Sequence, residues 1–103
     1  MFKIQILEAA ATDLDSEYQY SCENWGVRHS KKYYAELRRK ISRLAQHPKM
    51  FRSYDSLFKG CRKFTYKSTT VFYYVDEESE TVFIFAVVGN AYNITQEEIS
   101  RRL

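Results

Sequence analysis

The residues best suited to bind an oppositely charged partner are crowded into the middle of the sequence. Between residues 28 and 67, thirteen Lys or Arg face only two acidic residues, Glu36 and Asp55, which gives a local charge of +11, while the rest of the chain sums to −8. Such a separation of charge favours an acidic partner, either nucleic acid or an acidic protein segment. The alternative is a solvated helix face that carries scattered lysines.

One loop in this basic region also carries aromatic side chains. The stretch from His47 to Gly60 has neither helical nor strand periodicity and contains several turn-forming residues, so it is predicted to be a long loop. Loops held on a rigid scaffold commonly contact partners. The basic and aromatic residues of this loop are Lys49, Phe51, Arg52, Tyr54, Phe58 and Lys59.

Metal and thiol chemistry find little support in the sequence. The two cysteines, Cys22 and Cys61, show no CxxC spacing, and the chain has only two histidines, so we predict no metal site and no cofactor. Cys22 fits a small buried hydrophobe better than a nucleophile. The sequence shows neither a membrane-spanning apolar run nor a secretion signal, so we expect a cytoplasmic protein without a Cys22–Cys61 disulfide.

The first half of the chain predicts a strand followed by two helices. Apolar residues alternate from Phe2 to Ile6, which is typical of a short strand. Spacings of three and four then place one set of residues on a helix face that Gly26 terminates, and a second set on a helix that ends before Pro48. The first set is Ala11, Leu14, Tyr18, Cys22 and Trp25, and the second is Tyr34, Leu37, Ile41 and Leu44. The helices should form an antiparallel hairpin on a sheet, with Trp25, Leu37, Ile41 and Ile84 buried together.

The second half predicts three consecutive antiparallel strands. Short β-branched and aromatic runs lie between Cys61 and Val88, separated by polar turns. The last run, Thr81 to Val88, is apolar on both faces and should lie inside the sheet. In the first run, Lys63, Thr65 and Lys67 share one face, which predicts that part of the sheet leaves a basic face in water. Thr95 and Glu98 fit a capping box for a short final helix. The predicted fold is a single α+β domain spanning residues 1–103.

This order of elements resembles the ParE/RelE superfamily of bacterial toxin components over nearly the whole chain. The ParE branch, also called plasmid stabilisation proteins, is the more similar because of Trp25-Gly26 and the later Gly-x-Arg and Val-Phe-Tyr-Tyr segments. The residues that carry the resemblance are Glu8-Ala9, Asp13-Leu14, Asn24-Trp25-Gly26, Leu44-Ala45-Gln46-His47-Pro48, Gly60-Cys61-Arg62-Lys63-Phe64 and Val71-Phe72-Tyr73-Tyr74-Val75-Asp76.

The resemblance implies a small α+β toxin that a cognate antitoxin holds inactive in a hetero-oligomer. ParE-like members poison DNA gyrase and are not enzymes, whereas RelE-like members cut messenger RNA on the ribosome. Members often carry an Arg just before the aromatic middle strand and a His or Arg group after the last strand. This chain has Thr70 at the first position and Gly89-Asn90-Ala91-Tyr92 at the second.

Three functions therefore stay open, and each has its own candidate residues. A gyrase-binding toxin would use a basic surface with aromatic anchors, predicted here as Arg52, Tyr54, Lys59, Lys63 and Lys67. A ribosome-dependent messenger RNA endoribonuclease would need an acid, a base and a cation, for which the candidates are Arg62, Lys63, Tyr73 and Tyr74. The third possibility is a family member that binds its antitoxin without being toxic. In each case Arg38, Arg39 and Arg43 are predicted to bind the antitoxin.

Overall fold

The strand, helical hairpin and three-stranded meander predicted from the sequence are present. The computed structural model describes residues 1–89 and 95–103. The elements are β1 (Lys3–Ile6), α1 (Glu8–Trp25), α2 (Val27–Ser42) with a 3₁₀ turn (Arg43–Ala45), β2 (Cys61–Tyr66), β3 (Thr69–Asp76), β4 (Thr81–Gly89) and α3 (Gln96–Arg102). The α+β fold class is thus confirmed. The segment Asn90-Ala91-Tyr92, where members of the resembled superfamily often carry a His or Arg group, lies outside the described residues.

The four strands form one mixed sheet in the order β1-β4-β3-β2. The meander β2-β3-β4 is antiparallel, and β1 pairs in parallel with the first half of β4, from Lys3 opposite Thr81 to Ile6 opposite Ile84. β4 is therefore an interior strand, as its apolar residues on both faces predict. A bulge between Phe72 and Tyr73 shifts the register of β3 against β4.

The helical hairpin covers one face of the sheet and forms the main core. α1 contributes Ala10 and Leu14, α2 contributes Leu37 and Ile41, and both pack with buried residues of the sheet. Gly26 joins the helices with φ of 91°, a conformation that glycine adopts without the steric cost of a Cβ. Since each helix is apolar on only one side, covering the sheet buries both apolar faces together.

The second face of the sheet is partly covered, which narrows the prediction that part of the sheet leaves a basic face in water. The loop after α2 folds back so that Leu57 and Phe58 pack against Phe85, and Ile99 of α3 joins the same cluster. On this face of β2, Cys61 is fully buried, while Lys63 is half-buried and Thr65 is exposed. The prediction was too broad because strand alternation shows which residues share a face but not which distant segment covers part of it.

Trp25 is the second correction. Leu37, Ile41 and Ile84 are buried as predicted, but the Trp25 side chain is 70% exposed. It is the last residue of α1, and Ser21 and Cys22, one turn earlier, are already only half-buried. Helical spacing puts Trp25 on the apolar stripe, yet the stripe continues beyond the part of the helix that is covered.

Beyond the part of β4 that pairs with β1, acidic side chains of α1 accept hydrogen bonds from the backbone of β4. Val87 N donates to Asp13 Oδ2 at 2.9 Å, and Gly89 N donates to Glu17 Oε1 at 2.9 Å. Asp13 also pairs with Arg102 of α3, whose Nη1 lies 2.7 Å from Asp13 Oδ2 and 2.9 Å from the carbonyl oxygen of Phe85. These contacts satisfy strand groups that no neighbouring strand reaches.

The short helix α3 begins as the capping pattern predicts. Glu98 N donates to Thr95 Oγ1 at 3.2 Å, which satisfies one of the free amides of the first turn. Gln96 Nε2 donates to the carbonyl oxygen of Leu57, so the start of α3 is attached to the loop that covers the second face. None of the described helices is long and apolar enough to cross a membrane.

Candidate functional site

The basic loop before β2 is held against the edge of the sheet. Lys63 N donates to the carbonyl oxygen of Arg52, and Tyr54 N donates to that of Cys61 at 2.7 Å. Arg62 Nη1 donates to the carbonyl oxygen of Phe51 at 2.8 Å. The loop backbone therefore has fixed partners, and the direction of its side chains is set by the sheet.

This attachment brings Arg52, Tyr54 and Lys63 together, and Lys59 follows on the same loop. Lys63 Nζ lies 3.9 Å from the centre of the Tyr54 ring, a cation–π contact. Arg52 and Lys59 are exposed on the same loop as Tyr54. We call these four residues the loop surface: Arg52, Tyr54, Lys59 and Lys63. Lys49 also lies on this loop but already forms an ion pair with Glu77.

Lys67, the fifth predicted target residue, lies elsewhere. It occupies the turn after β2 with φ of 52°, and its Nζ is 5.4 Å from the Tyr66 ring on the helix-covered face. Lys59 precedes the six residues of β2 and Lys67 follows them, so the two lie at opposite ends of a strand about 17 Å long. Lys67 is therefore not part of the loop surface.

The four candidates for RNA cleavage are divided between the two faces of the sheet. Arg62 is paired with Tyr73 across β2 and β3, and the Tyr73 side chain belongs to the helix-side core. Lys63 and Tyr74 lie on the other face, where Tyr74 stacks on Phe83 at 5.1 Å between ring centres. The structure thus does not assemble Arg62, Lys63, Tyr73 and Tyr74 into one site.

Burial moves the pKa of each phenol further from neutral pH. Desolvation raises the pKa of Tyr73 to about 12, with the Arg62 charge and the Phe51 backbone acting in the opposite direction. Desolvation by burial, and then the charge of Asp76, raise the pKa of Tyr74 as well. A useful general acid or base has a pKa near the working pH, and these phenols are moved away from it.

Removing the Tyr73 hydroxyl should stabilise the protein. Tyr73 is fully buried, and its hydroxyl makes no hydrogen bond of acceptable geometry within the described residues, although the Phe51 backbone lies near enough to lower its pKa. Leaving such a group unpaired costs about 1 to 3 kcal/mol, so Tyr73→Phe should raise the free energy of unfolding by about 1 kcal/mol. Urea unfolding at neutral pH measures this, with the exposed Tyr20→Phe as the control. A loss of stability in Tyr73→Phe would show that the hydroxyl has a partner.

The same substitution should flatten the alkaline loss of stability. The pKa of Tyr73 is about 12 in the folded protein against an ordinary 10.0. The part of the free energy of unfolding that depends on keeping this phenol protonated is therefore complete below pH 10 and is lost as pH rises towards the folded pKa. Tyr34 and Tyr66 have pKa values raised to about 12 and act in the same direction. The free energy of unfolding, measured from pH 9 upward, should therefore fall less steeply with pH in Tyr73→Phe than in the parent protein.

A second polar cluster, which the sequence did not reveal, joins α2 to the end of β2. The Tyr66 hydroxyl donates to Glu36 Oε2, and this hydrogen bond raises the pKa of Tyr66 and lowers that of Glu36. Lys40 lies over the same ring at 5.6 Å. The spacing of Glu36 and Lys40 places them on one helix face, and this signal was available in the sequence. The sequence gave no signal that Tyr66 on the sheet would be their partner.

The three arginines predicted to bind the antitoxin are all exposed on α2 and the following turn. Arg38 borders a groove of about 340 Å³ between the helices, where Leu14, Tyr18 and Tyr34 form part of the wall. Arg39 lies on the side of Glu36, whose pKa its charge helps to lower. Arg38 and Arg39 therefore face different neighbours, and together with Arg43 they spread positive charge across the helix surface.

The strand, helical hairpin and meander are the architecture of ParE and RelE toxins. In solved structures, a chromosomal ParDE system from P. aeruginosa matches with a TM-score of 0.74 at 19% identity over 86% of this chain and 96% of that one. The intact E. coli RelBE toxin–antitoxin complex matches with a TM-score of 0.60 at 18% identity, over 90% and 100% of the two chains. At these identities the likeness establishes the fold.

Sequence comparison identifies the family. The chain belongs to the ParE toxin family of type II toxin–antitoxin systems, whose sequence model matches residues 4–91. It is 34% identical over 82 residues to Toxin ParE1 of Caulobacter vibrioides, covering 80% of this chain and 85% of that protein. It is also 34% identical over 70 residues to Toxin ParE1 of Mycobacterium tuberculosis, covering 68% and 71%. The predicted resemblance and its toxin class are confirmed.

Proposed function

We propose that this toxin inhibits DNA gyrase by binding to it in the cytoplasm, and that a cognate antitoxin neutralises it. The proposal is supported by a difference between the residues predicted to bind gyrase and those predicted to cleave RNA. The first group includes exposed side chains on one loop, whereas the second is divided between the two faces of the sheet. The loop surface offers Arg52 and Lys59 to solvent beside the Lys63–Tyr54 contact. A basic surface with an aromatic anchor suits recognition of a larger, acidic partner.

The residues considered for RNA cleavage are poorly placed for chemistry. Cleavage needs a base for the 2′-hydroxyl, an acid for the leaving oxygen and a cation for the transition state, all within reach of one phosphate. Tyr73 and Tyr74 lie on opposite faces of the sheet, and Arg62 is engaged by the loop backbone. Inhibition by binding needs no such convergence, so it is the function we favour.

Two assays on one purified sample distinguish gyrase inhibition from RNA cleavage. The protein should inhibit supercoiling by DNA gyrase, and adding the antitoxin should restore it. It should leave messenger RNA intact when ribosomes are present. RNA cleavage without gyrase inhibition would replace the proposal with the endoribonuclease function. A folded protein that binds its antitoxin but does neither, and does not slow growth on induction, would be a non-toxic family member.

We further propose that the antitoxin approaches the basic surface of α2 with an acidic segment. Substituting Arg38, Arg39 and Arg43 together with serine should slow association about tenfold or more at low salt, because complementary charge steers encounter. The slope of the association rate against salt should become shallower, because fewer charges remain to be screened. Stopped-flow mixing with the antitoxin at several salt concentrations measures both effects.

A variant with the same change in net charge separates local from overall charge. Lys3, Lys59 and Arg101 are exposed and lie outside α2, so replacing all three with serine should leave most of the association rate intact. If both triple variants slow association equally, the antitoxin responds to the charge of the whole toxin. An unchanged rate and salt slope in the arginine variant would remove the three arginines from the docking surface.

A further inference from the structure

A row of aromatic rings lies exposed at the turn between the two helices. Trp25 and His29 have ring centres 6.5 Å apart, and His29 and Tyr33 have centres 6.2 Å apart. Trp25 is 70% exposed, although it is the only tryptophan of the chain and aromatic burial contributes strongly to a core. We call Trp25, His29 and Tyr33 the aromatic row.

The inner end of this row is fixed by hydrogen bonds. The Tyr33 hydroxyl lies 3.1 Å from the carbonyl oxygen of Tyr66 and 2.8 Å from Thr69 Oγ1. Nearer the turn, Ser30 Oγ donates to the carbonyl oxygen of Gly26 and lies 2.6 Å from Ser21 Oγ. A ligand would therefore meet a Tyr33 ring that is already held in position, which lowers the entropy cost of ordering that end of the row.

A cavity of about 380 Å³ lies beside the aromatic row. Its volume is in the range that accommodates small ligands, and its wall contains both rings and hydroxyl groups. The wall residues outside the row that matter here are Tyr20, Ser21, Tyr34, Ser68 and Thr69. Such a lining can stack on a flat ring and offer hydrogen bonds to its edge.

Among the described residues, the charged groups around this cavity are exposed cations and two carboxylates. Both carboxylates line the cavities and already accept hydrogen bonds, Glu17 from Gly89 N and Glu36 from the Tyr66 hydroxyl. Arg28 and Lys32 lie on the same helix as His29 and are exposed, and Lys32 borders an adjoining cavity with His29 and Tyr33. The surface thus combines stacking faces with cations.

We propose that the aromatic row and its cavity bind single-stranded nucleic acid. Bases would stack on Trp25 and His29, and the backbone phosphates would lie near Arg28 and Lys32. Stacking platforms beside positive charge are the usual means of binding single strands without strong sequence preference. An acidic peptide would use the cations but has no general need of several flat faces and a hydroxyl-lined cavity. Base-paired DNA keeps its bases stacked inside the duplex and should bind more weakly.

This site is separate from the loop surface proposed to bind gyrase. Tyr33 contacts Tyr66 at the end of β2 and Thr69 at the start of β3, whereas Lys59 lies before β2. The two surfaces therefore lie at opposite ends of that strand. Loss of nucleic-acid binding and loss of gyrase inhibition can accordingly be tested independently.

Trp25 itself provides the measurement. A thymidine oligodeoxynucleotide of about ten residues, added at about 0.15 M salt, should quench Trp25 fluorescence in a saturable manner. Trp25→Ala should weaken binding of the same oligonucleotide, dye-labelled and followed by anisotropy, by about five- to hundredfold. Trp25→Phe should recover most of the affinity because it restores a ring. Melting temperatures show whether each variant is folded.

Adjacent lysines supply the charge control. Lys31 and Lys32 are both exposed, but Lys31 borders the groove between the helices and Lys32 borders the cavity beside the row. Lys32→Ala should weaken oligonucleotide binding severalfold more than Lys31→Ala.

Base-free polyphosphate tests whether stacking is needed. At the same phosphate concentration it should neither quench Trp25 nor displace the oligonucleotide efficiently. The proposal is overturned if polyphosphate competes as well as the oligonucleotide, or if folded Trp25→Ala binds the oligonucleotide with unchanged affinity. It is also overturned if an acidic peptide quenches Trp25 while the oligonucleotide does not, because the partner would then be a protein segment.

Discussion

Replacing Leu37 with alanine should lower the free energy of unfolding by about 2 to 5 kcal/mol. Leu37 has no exposed surface and lies on α2 among the residues that join the helical hairpin to the sheet. Truncation removes buried apolar surface and leaves a cavity that the surrounding helices and strands fill only in part. Urea unfolding followed by circular dichroism measures the loss.

Val27→Ala provides a control on the same helix. Val27 is more than half exposed, so its truncation should change stability by no more than about 0.5 kcal/mol. A loss below about 1 kcal/mol for Leu37→Ala would mean that the site collapses around the smaller side chain or that the hairpin packs less tightly than the structure shows.

The elements around Leu37 could be predicted because one physical rule determines each of them. Helix α2 follows from apolar residues at spacings of three and four, and β4 is interior because both of its faces are apolar. The parallel pairing of β1 with β4 depends on contacts between the two ends of the chain. The sequence predicted a strand at β1 but gave no local signal for its partner.

Trp25 shows where periodic reasoning fails. The helical period identifies the side of α1 that faces the sheet, but it does not show how far the helix remains covered. Trp25 falls on the apolar stripe and is exposed, whereas Leu14, on the same stripe, is buried. The residue that sequence reasoning assigned to the core is thus part of the surface that we propose as a binding site.

The covered second face of the sheet has a similar cause. Strand alternation placed Lys63 and Thr65 together, but it could not show that Leu57 and Phe58 would fold back over the same face. Loop paths depend on contacts between residues distant in sequence, such as the hydrogen bond from Arg62 to Phe51. The candidate residues could therefore be named from the sequence, while their division into separate surfaces required the structure.

Reversing the charge of Lys59 and Lys63 together should abolish growth inhibition when the toxin is induced without antitoxin. Both belong to the loop surface, where a glutamate would meet an acidic partner with repulsion instead of attraction. Like charges juxtaposed at an interface cost several kcal/mol, and each 1.4 kcal/mol is tenfold in affinity. The double variant should thus bind its target at least about a hundredfold more weakly. Lys67→Glu should have a smaller effect because Lys67 lies at the other end of β2.

A double variant elsewhere controls for net charge. Lys3 and Lys31 are exposed outside the loop surface, so the paired change Lys3→Glu and Lys31→Glu should leave the toxin active. Melting temperatures of both double variants must match that of the parent protein. If the control pair abolishes toxicity equally, overall charge and not the loop surface determines the effect.

The phenols complete the test, because a catalyst and a binder respond differently to the loss of one group. Removing a proton-transfer group typically costs about a hundredfold to ten-thousandfold in rate, whereas a binding toxin has no single indispensable hydroxyl. Tyr73→Phe and Tyr74→Phe should therefore each keep full toxicity, and Tyr73 is buried away from any substrate in any case. If either variant is folded and bound by antitoxin but loses both toxicity and RNA cleavage, inhibition by binding is wrong.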